Sequence, residues 1–91
     1  MHEIEQVFRG TSSLRILKVL LENKDRYVSK YFIIKESGVS NPNIVLRKLV
    51  ELGWVKVIEF NGYRRYRVNM ENRNVRMLYE FFKGVRYISK Y

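Results

Sequence analysis

The sequence contains no cysteine, one histidine and one proline. Without thiols it has no disulfide framework, no thiolate metal site and no cysteine nucleophile, and a reducing, cytoplasmic setting is expected. His2 sits at the terminus and is expected to have no catalytic role. No apolar run approaches the ~18 residues of a membrane span, and "MHEIEQVFRG" is charged, so neither a membrane helix nor a signal peptide is expected. Low-complexity tracts, internal repeats and Pro/Gly-rich linkers are missing too, and 91 residues suit one domain with little core to spare for a catalytic cavity. There is no Gly-rich phosphate loop, no metal-ligand spacing and no His paired with an acid, and the carboxylates are scattered among basic residues. No enzymatic activity, cofactor or metal is expected.

Acidic residues are also scarce. Nine Asp and Glu face 18 Lys and Arg, which leaves a net charge of +9, and the excess rises toward the C-terminal half. A small domain this basic suits a polyanionic partner, most often nucleic acid and less often anionic lipid. The alternative is a surface kept basic for solubility. The apolar content of 46% is ample for a packed fold.

"TSSLRILKVLLEN" (11–23) opens on hydroxyl residues able to cap a helix, and its apolar positions recur at helical spacing so densely that most of the helix surface should be buried. "RYVS" (26–29) reads as a short strand, and Ser29 then caps "KYFIIKES", a helix ending near Gly38. "GVSN" is a tight turn into a helix over 41–52, with Pro42 in its first turn and Gly53 ending it. On that helix Val45, Leu46, Leu49, Val50 and Leu52 share one arc, while Asn43, Arg47, Lys48 and Glu51 share the other. Ile44 lies in the middle of the polar arc.

"WVKVIEF-NG-YRRYRVN" (54–69) is the clearest local signal. Asn61-Gly62 is the preferred two-residue hairpin loop, and it sets Phe60 opposite Tyr63, Glu59 opposite Arg64, Ile58 opposite Arg65, Val57 opposite Tyr66, Lys56 opposite Arg67 and Val55 opposite Val68. Alternation predicts that Val55, Val57, Tyr66 and Val68 pack on the helices. Residues 71–91 read as a terminal helix with Val75, Leu78, Phe82, Val85 and Ile88 in one stripe and Tyr79, Phe81 and Tyr87 outside it.

The order helix, short strand, helix, turn, helix, hairpin, helix is that of a winged helix-turn-helix: mainly α with a small β-hairpin (α+β), a three-helix core plus wing and a C-terminal helix. "LRILKVLLE", then "GVSNPNIVLRKLVELGWV", then a basic hairpin, resembles the ArsR/MarR-like transcription regulators and, more narrowly, the small winged-helix proteins of archaea and archaeal viruses. The resemblance covers about residues 11–69, with 1–10 and 71–91 as expected dimerisation extensions. It implies a DNA-binding transcription regulator in a prokaryotic or virus-infected cell. The cysteine and histidine ligands of metal-sensing members are absent, so metal sensing is not implied.

In a helix-turn-helix the second helix lies in the major groove, with its N-terminal residues at the base edges. The expected readers are therefore Asn41, Asn43, Ile44, Arg47 and Lys48: Asn suits adenine, Arg suits guanine, and an aliphatic group suits a thymine methyl. Single exposed aliphatics are common, and Ile44 packing under Tyr31 or the N-terminal arm is the alternative. On the wing, Tyr63, Arg64, Arg65 and Arg67 are candidates for phosphate or a narrow minor groove, against an ordinary solvated hairpin with a Glu59–Arg64 cross-strand pair. Lys30, Lys35 and Ser40 are candidates for backbone phosphates. Ile4, Val7, Phe8, Val75, Leu78, Phe82 and Val85 form either a homodimer seam or a lid on the protomer core, and two apolar helix faces favour the seam. The expected function is sequence-specific recognition of double-stranded DNA by a homodimeric regulator, the 41–52 helix in the major groove and the 60–65 wing on minor groove or backbone. The rivals are a protein-interaction module, using Trp54, Ile58 and Phe60, and RNA binding, for which no module signature is present.

Overall fold

The computed structural model describes Glu5, Val7 and residues 10–88. From Gly10 onward the elements run α1 (Thr11–Glu22), β1 (Val28–Ser29), α2 (Lys30–Ser37), α3 (Asn43–Glu51), β2 (Val55–Phe60), β3 (Tyr63–Val68) and α4 (Arg73–Gly84). The strands make one antiparallel sheet in the order β1-β3-β2. This is an α+β fold with the winged-helix arrangement.

The core gathers one apolar stripe from each element. Ile16, Leu17, Leu20 and Leu21 of α1 meet Ile33 of α2, Leu46 and Leu49 of α3, and Val55, Tyr66 and Val68 of the sheet. Helix α1 is buried on most of its surface because α2, α3 and β3 all pack on it. Its hydroxyl residues do not cap it. The chain enters through Gly10 in a left-handed conformation, Thr11 is already helical, and no side chain caps the first turn. Ser29 does cap α2, accepting a hydrogen bond from the Phe32 N–H at 3.1 Å, and Gly38 ends it.

Two helix ends share one solution. After α3, the Trp54 N–H donates to the Leu49 carbonyl and the Gly53 N–H to Val50, a Schellman closure with Gly53 in the left-handed position. After α4, the Tyr87 N–H donates to Phe82 and the Arg86 N–H to Lys83 in the same pattern. There Arg86 takes the left-handed conformation, φ 61°, without glycine's freedom. What holds it is the apolar contact across the closure: the Phe82 and Tyr87 rings meet edge-on, 4.9 Å between centroids.

That turn corrects the terminal helix expected over 71–91. Helix α4 stops at Gly84, and Tyr87 and Ile88 fold back into the core. Tyr87, expected outside the stripe, is buried. Its hydroxyl donates to the Glu5 carboxylate, which also accepts from Arg15 Nε at 3.0 Å. Burial alone would raise the Glu5 carboxyl, but the hydrogen bonds from Tyr87 and Arg15, together with the Arg15 charge, hold it below its ordinary range. Burial, then the hydrogen bond and charge of Glu5, push the Tyr87 phenol well above its own.

The seam reading changes with it. Phe82 and Val75 are 0% exposed within the protomer, and Leu78 is half-buried against the same core. Val75 and Phe82 therefore close the protomer core and do not present themselves to a partner. Val85 and Val7 are exposed, while Ile4 and Phe8 lie outside the described residues. Leu52, expected on the apolar arc of the third helix, is exposed where the chain leaves α3.

Candidate nucleic-acid interface

Helix α3 begins at Asn43, after a turn fixed by Asn41, whose side-chain oxygen accepts from the Asn43 N–H at 3.3 Å. Pro42 is fully buried at this entry and sets the helix against the core. Leu46 and Leu49 point inward, so the hundred-degree step per residue turns Asn43, Ile44, Arg47, Lys48 and Glu51 outward. Ile44 is 75% exposed, so Tyr31 does not cover it, and the expected alternative of the N-terminal arm lies mostly outside the described residues.

All six hairpin pairs have the expected register, and the loop has the paired positive φ values of a type I′ turn, 53° at Asn61 and 81° at Gly62. Burial follows the expected alternation only at the base. Val55, Tyr66 and Val68 are buried, but Val57 is 38% exposed and every residue from Lys56 to Arg65 lies open. β1 pairs with β3 only at Val28 opposite Tyr66 and Ser29 opposite Arg65, so the sheet is three strands wide at its base and the outer half of the hairpin stands as a two-stranded ribbon. It projects as a wing with Phe60 and Tyr63 beside its tip.

Arg67 departs from its expected role. Its Nε donates to the Lys24 carbonyl at 2.8 Å, and its guanidinium lies over the Tyr27 ring, 5.8 Å from the centroid. Lys24 lies just past the end of α1, where carbonyls lack helical partners. Arg67 satisfies one of them and is part of the body. Arg64 and Arg65, one turn of the pleat farther out, are exposed. Among the described residues, no carboxylate lies within ion-pair distance of Arg64, Arg65, Lys30, Lys35, Arg47 or Lys48. The Glu59–Arg64 pair is therefore not formed, although the two face each other in register.

A cleft of about 400 Å³ lies between the wing tip, the first turn of α2 and the start of α3. Ser29, Lys30, Tyr31, Asn43, Gly62, Tyr63, Arg64, Arg65 and Tyr66 line it. The fold thus joins Lys30, Asn43, Tyr63, Arg64 and Arg65 in one concavity. Ile44, Arg47 and Lys48 continue from Asn43 along the open face of α3. Lys35 stands toward the other end of α2, Ser40 is exposed in the turn, and neither lines the cleft. Tyr31 was not among the expected contacts; the only signal for it was an aromatic residue in the first turn of a capped helix.

No group of three or more His, Cys, Asp or Glu among the described residues is placed to hold a metal ion, and no described helix is long and apolar enough to cross a membrane. No protein-family model matches the chain, and no curated protein matches it. Among solved structures, the chain is similar to the crystal structure of Sso10a-2, described as a DNA-binding protein from Sulfolobus solfataricus. The two are 22% identical with a TM-score of 0.63, over 87% of this chain and 83% of that one. At that identity the likeness is one of fold.

Proposed function

We propose that the protein binds double-stranded DNA, with α3 in the major groove and the wing tip on the neighbouring minor groove or backbone. The observation that carries this is the meeting of the first residue of α3 with the wing tip across one cleft, each flanked by cations that no carboxylate among the described residues neutralises. A single duplex can then touch Asn43, Ile44, Arg47 and Lys48 on one element and Tyr63, Arg64 and Arg65 on the other. Asn41, in the turn before α3, is proposed as a further base contact, and Lys30, Lys35 and Ser40 as contacts to backbone phosphates. The fold shared with a protein described as DNA-binding supports the same reading. Asn, Arg and an aliphatic side chain at base-edge positions further suit sequence-specific binding and a role as a transcription regulator.

We propose also that the regulator is a homodimer, through the face of α4 that the protomer leaves open. That face carries Met77 and Phe81, and Val7 is exposed in the N-terminal segment.

The exposed Val57, Ile58 and Phe60 favour a second reading, a protein-interaction module docking through the wing. A titration of random-sequence duplex at two salt concentrations separates the two. Each phosphate neutralised contributes about −0.9 to the slope of log K against log salt. Duplex binding through α3 and wing together is expected to exceed a slope of about −4. A slope no steeper than about −2 would refute extensive phosphate contact and leave the protein-docking reading.

A further inference from the structure

We infer that the cleft between the wing tip and α2 is a site for single-stranded DNA, where an unpaired nucleotide stacks on tyrosine while its phosphates meet Lys30, Arg64 and Arg65. The proposal goes beyond the duplex reading, because Ile44, Arg47 and Lys48 on the outer face of α3 have no part in it. Three tyrosines converge on the cleft. Tyr66 is buried beneath it, whereas Tyr31 and Tyr63 are each 73% exposed. They approach from different elements, Tyr31 from the first turn of α2 and Tyr63 from the arm after the Asn61-Gly62 loop. Exposed rings at a concave site add nothing to the core, and they offer planar faces that any base can stack on.

Charge complements the rings. Lys30, Arg64 and Arg65 line the same concavity, and none has a carboxylate within ion-pair distance among the described residues. Asn43 adds an exposed amide able to reach a base edge. A cationic groove with interleaved aromatics is the arrangement that binds single strands with little sequence preference. A paired base in a duplex cannot offer its face to these rings, so the occupant is an unpaired nucleotide: an overhang, a frayed end or a melted stretch. The cleft's volume of about 400 Å³ lies at the lower end of the range that holds small ligands, which suits one nucleotide rather than several.

The test compares an oligo(dT) strand with a blunt duplex by fluorescence anisotropy, for the full chain and for Tyr31→Ala and Tyr31→Phe. Tyr31 has no place in the proposed duplex contacts, so blunt-duplex affinity should stay within about twofold in both variants. Loss of one stacked base costs about 1–3 kcal/mol, which is roughly a five- to 150-fold weaker grip on oligo(dT) for Tyr31→Ala, with Tyr31→Phe keeping wild-type affinity. The two phosphates that flank one nucleotide give an oligo(dT) salt slope of about −1.4. Photo-crosslinking of 5-iodouracil-substituted oligo(dT) to the unaltered chain should map to Tyr31 or Tyr63, and it decides the matter if Tyr31→Ala loses its fold. An unaltered chain that ignores oligo(dT), equal oligo(dT) affinity in a folded Tyr31→Ala, or crosslinks only to α3 would each overturn the proposal. A blunt duplex left unbound while oligo(dT) is bound would instead overturn the duplex reading and leave this one standing.

Discussion

Replacing Arg67 by alanine, beside the double replacement of Arg64 and Arg65, separates the cation that builds the protein from the cations proposed to touch DNA. Arg67 donates to the Lys24 carbonyl at 2.8 Å with its guanidinium over the Tyr27 ring, and it is half-buried. A hydrogen bond from a charged donor contributes about 1.5–3 kcal/mol, and a partly exposed cation–π contact about 0.5–1 kcal/mol. Solvent reaches part of this site, so the lower end applies, and a loss of about 2 kcal/mol is expected for Arg67→Ala. For a domain of this length that is roughly an 8–16 °C fall in Tm. The salt slope of duplex binding should not change. Arg64→Ala with Arg65→Ala should do the reverse, leaving stability within about 0.5 kcal/mol of wild type and making the slope shallower by about 1.8 per protomer. Thermal unfolding followed by circular dichroism and a salt titration of each variant give both readings. If Arg67→Ala keeps its Tm and loses about one unit of slope, Arg67 contacts phosphate and its bond to Lys24 does not hold in solution.

Ile44→Ala should leave stability almost unchanged, because the side chain is open to water, while specific DNA affinity falls about fivefold, the loss of one weak base contact; a stability loss of the ~2–5 kcal/mol typical of core truncation would show that Ile44 is packed. The contact of Glu5 with Tyr87 predicts a two-sided pH profile. The folded Glu5 carboxyl titrates below its ordinary 4.5, so the stability it supplies is complete above about 4.5 and is lost as pH falls through the folded value. The folded Tyr87 phenol titrates above its ordinary 10.0, so its contribution is complete below about 10 and is lost as pH rises further. Urea midpoints from pH 3 to 11 should therefore form a plateau between those limits, and Glu5→Gln should flatten the acid side; an unaltered acid limb in that variant would count against the contact. Sedimentation at tens of micromolar should show a dimer that Met77→Glu with Phe81→Glu converts to a folded monomer. A monomeric wild type at that concentration would end the homodimer proposal.

The parts of the fold legible in the sequence are those decided by local rules. The two-residue loop Asn61-Gly62 admits one hairpin register, and every pair followed from it. Ser29 and Gly38 mark the ends of α2 through capping chemistry that needs no tertiary information. The phase of α3, and with it the exposure of Ile44, came from Leu46 and Leu49 on the opposite arc. What could not be read depends on what lies against each residue. The openness of Val57 depends on how far the helices reach along the hairpin face, which the alternation of its residues does not tell. Arg67 looked like its neighbours Arg64 and Arg65, and only the approach of the Lys24 carbonyl distinguishes it. The reversal at Arg86 had no glycine to announce it, so Tyr87 and Ile88 read as more helix. The cleft was hidden for the same reason: Lys30, Asn43 and Arg64 are far apart in sequence, and only packing joins them.

One acidic residue sits on the outer half of the otherwise basic wing. Strand β2 is an edge of the sheet along its whole length, and Val57, Ile58 and Phe60 are exposed on it. An open edge bearing apolar and β-branched residues is a template on which a second chain can add a strand. Lys56 and Glu59 are the charges that interrupt "VKVIEF". Glu59 has no ionic partner among the described residues, so it serves no contact within the fold. Its consequence is colloidal: like Lys56, it is a charge that would have to leave water before a second strand could add to that edge. Replacing Glu59 by an apolar residue to make the wing more cationic would remove one of those two interruptions, and the wing that gripped its target more tightly would also carry a longer uncharged edge.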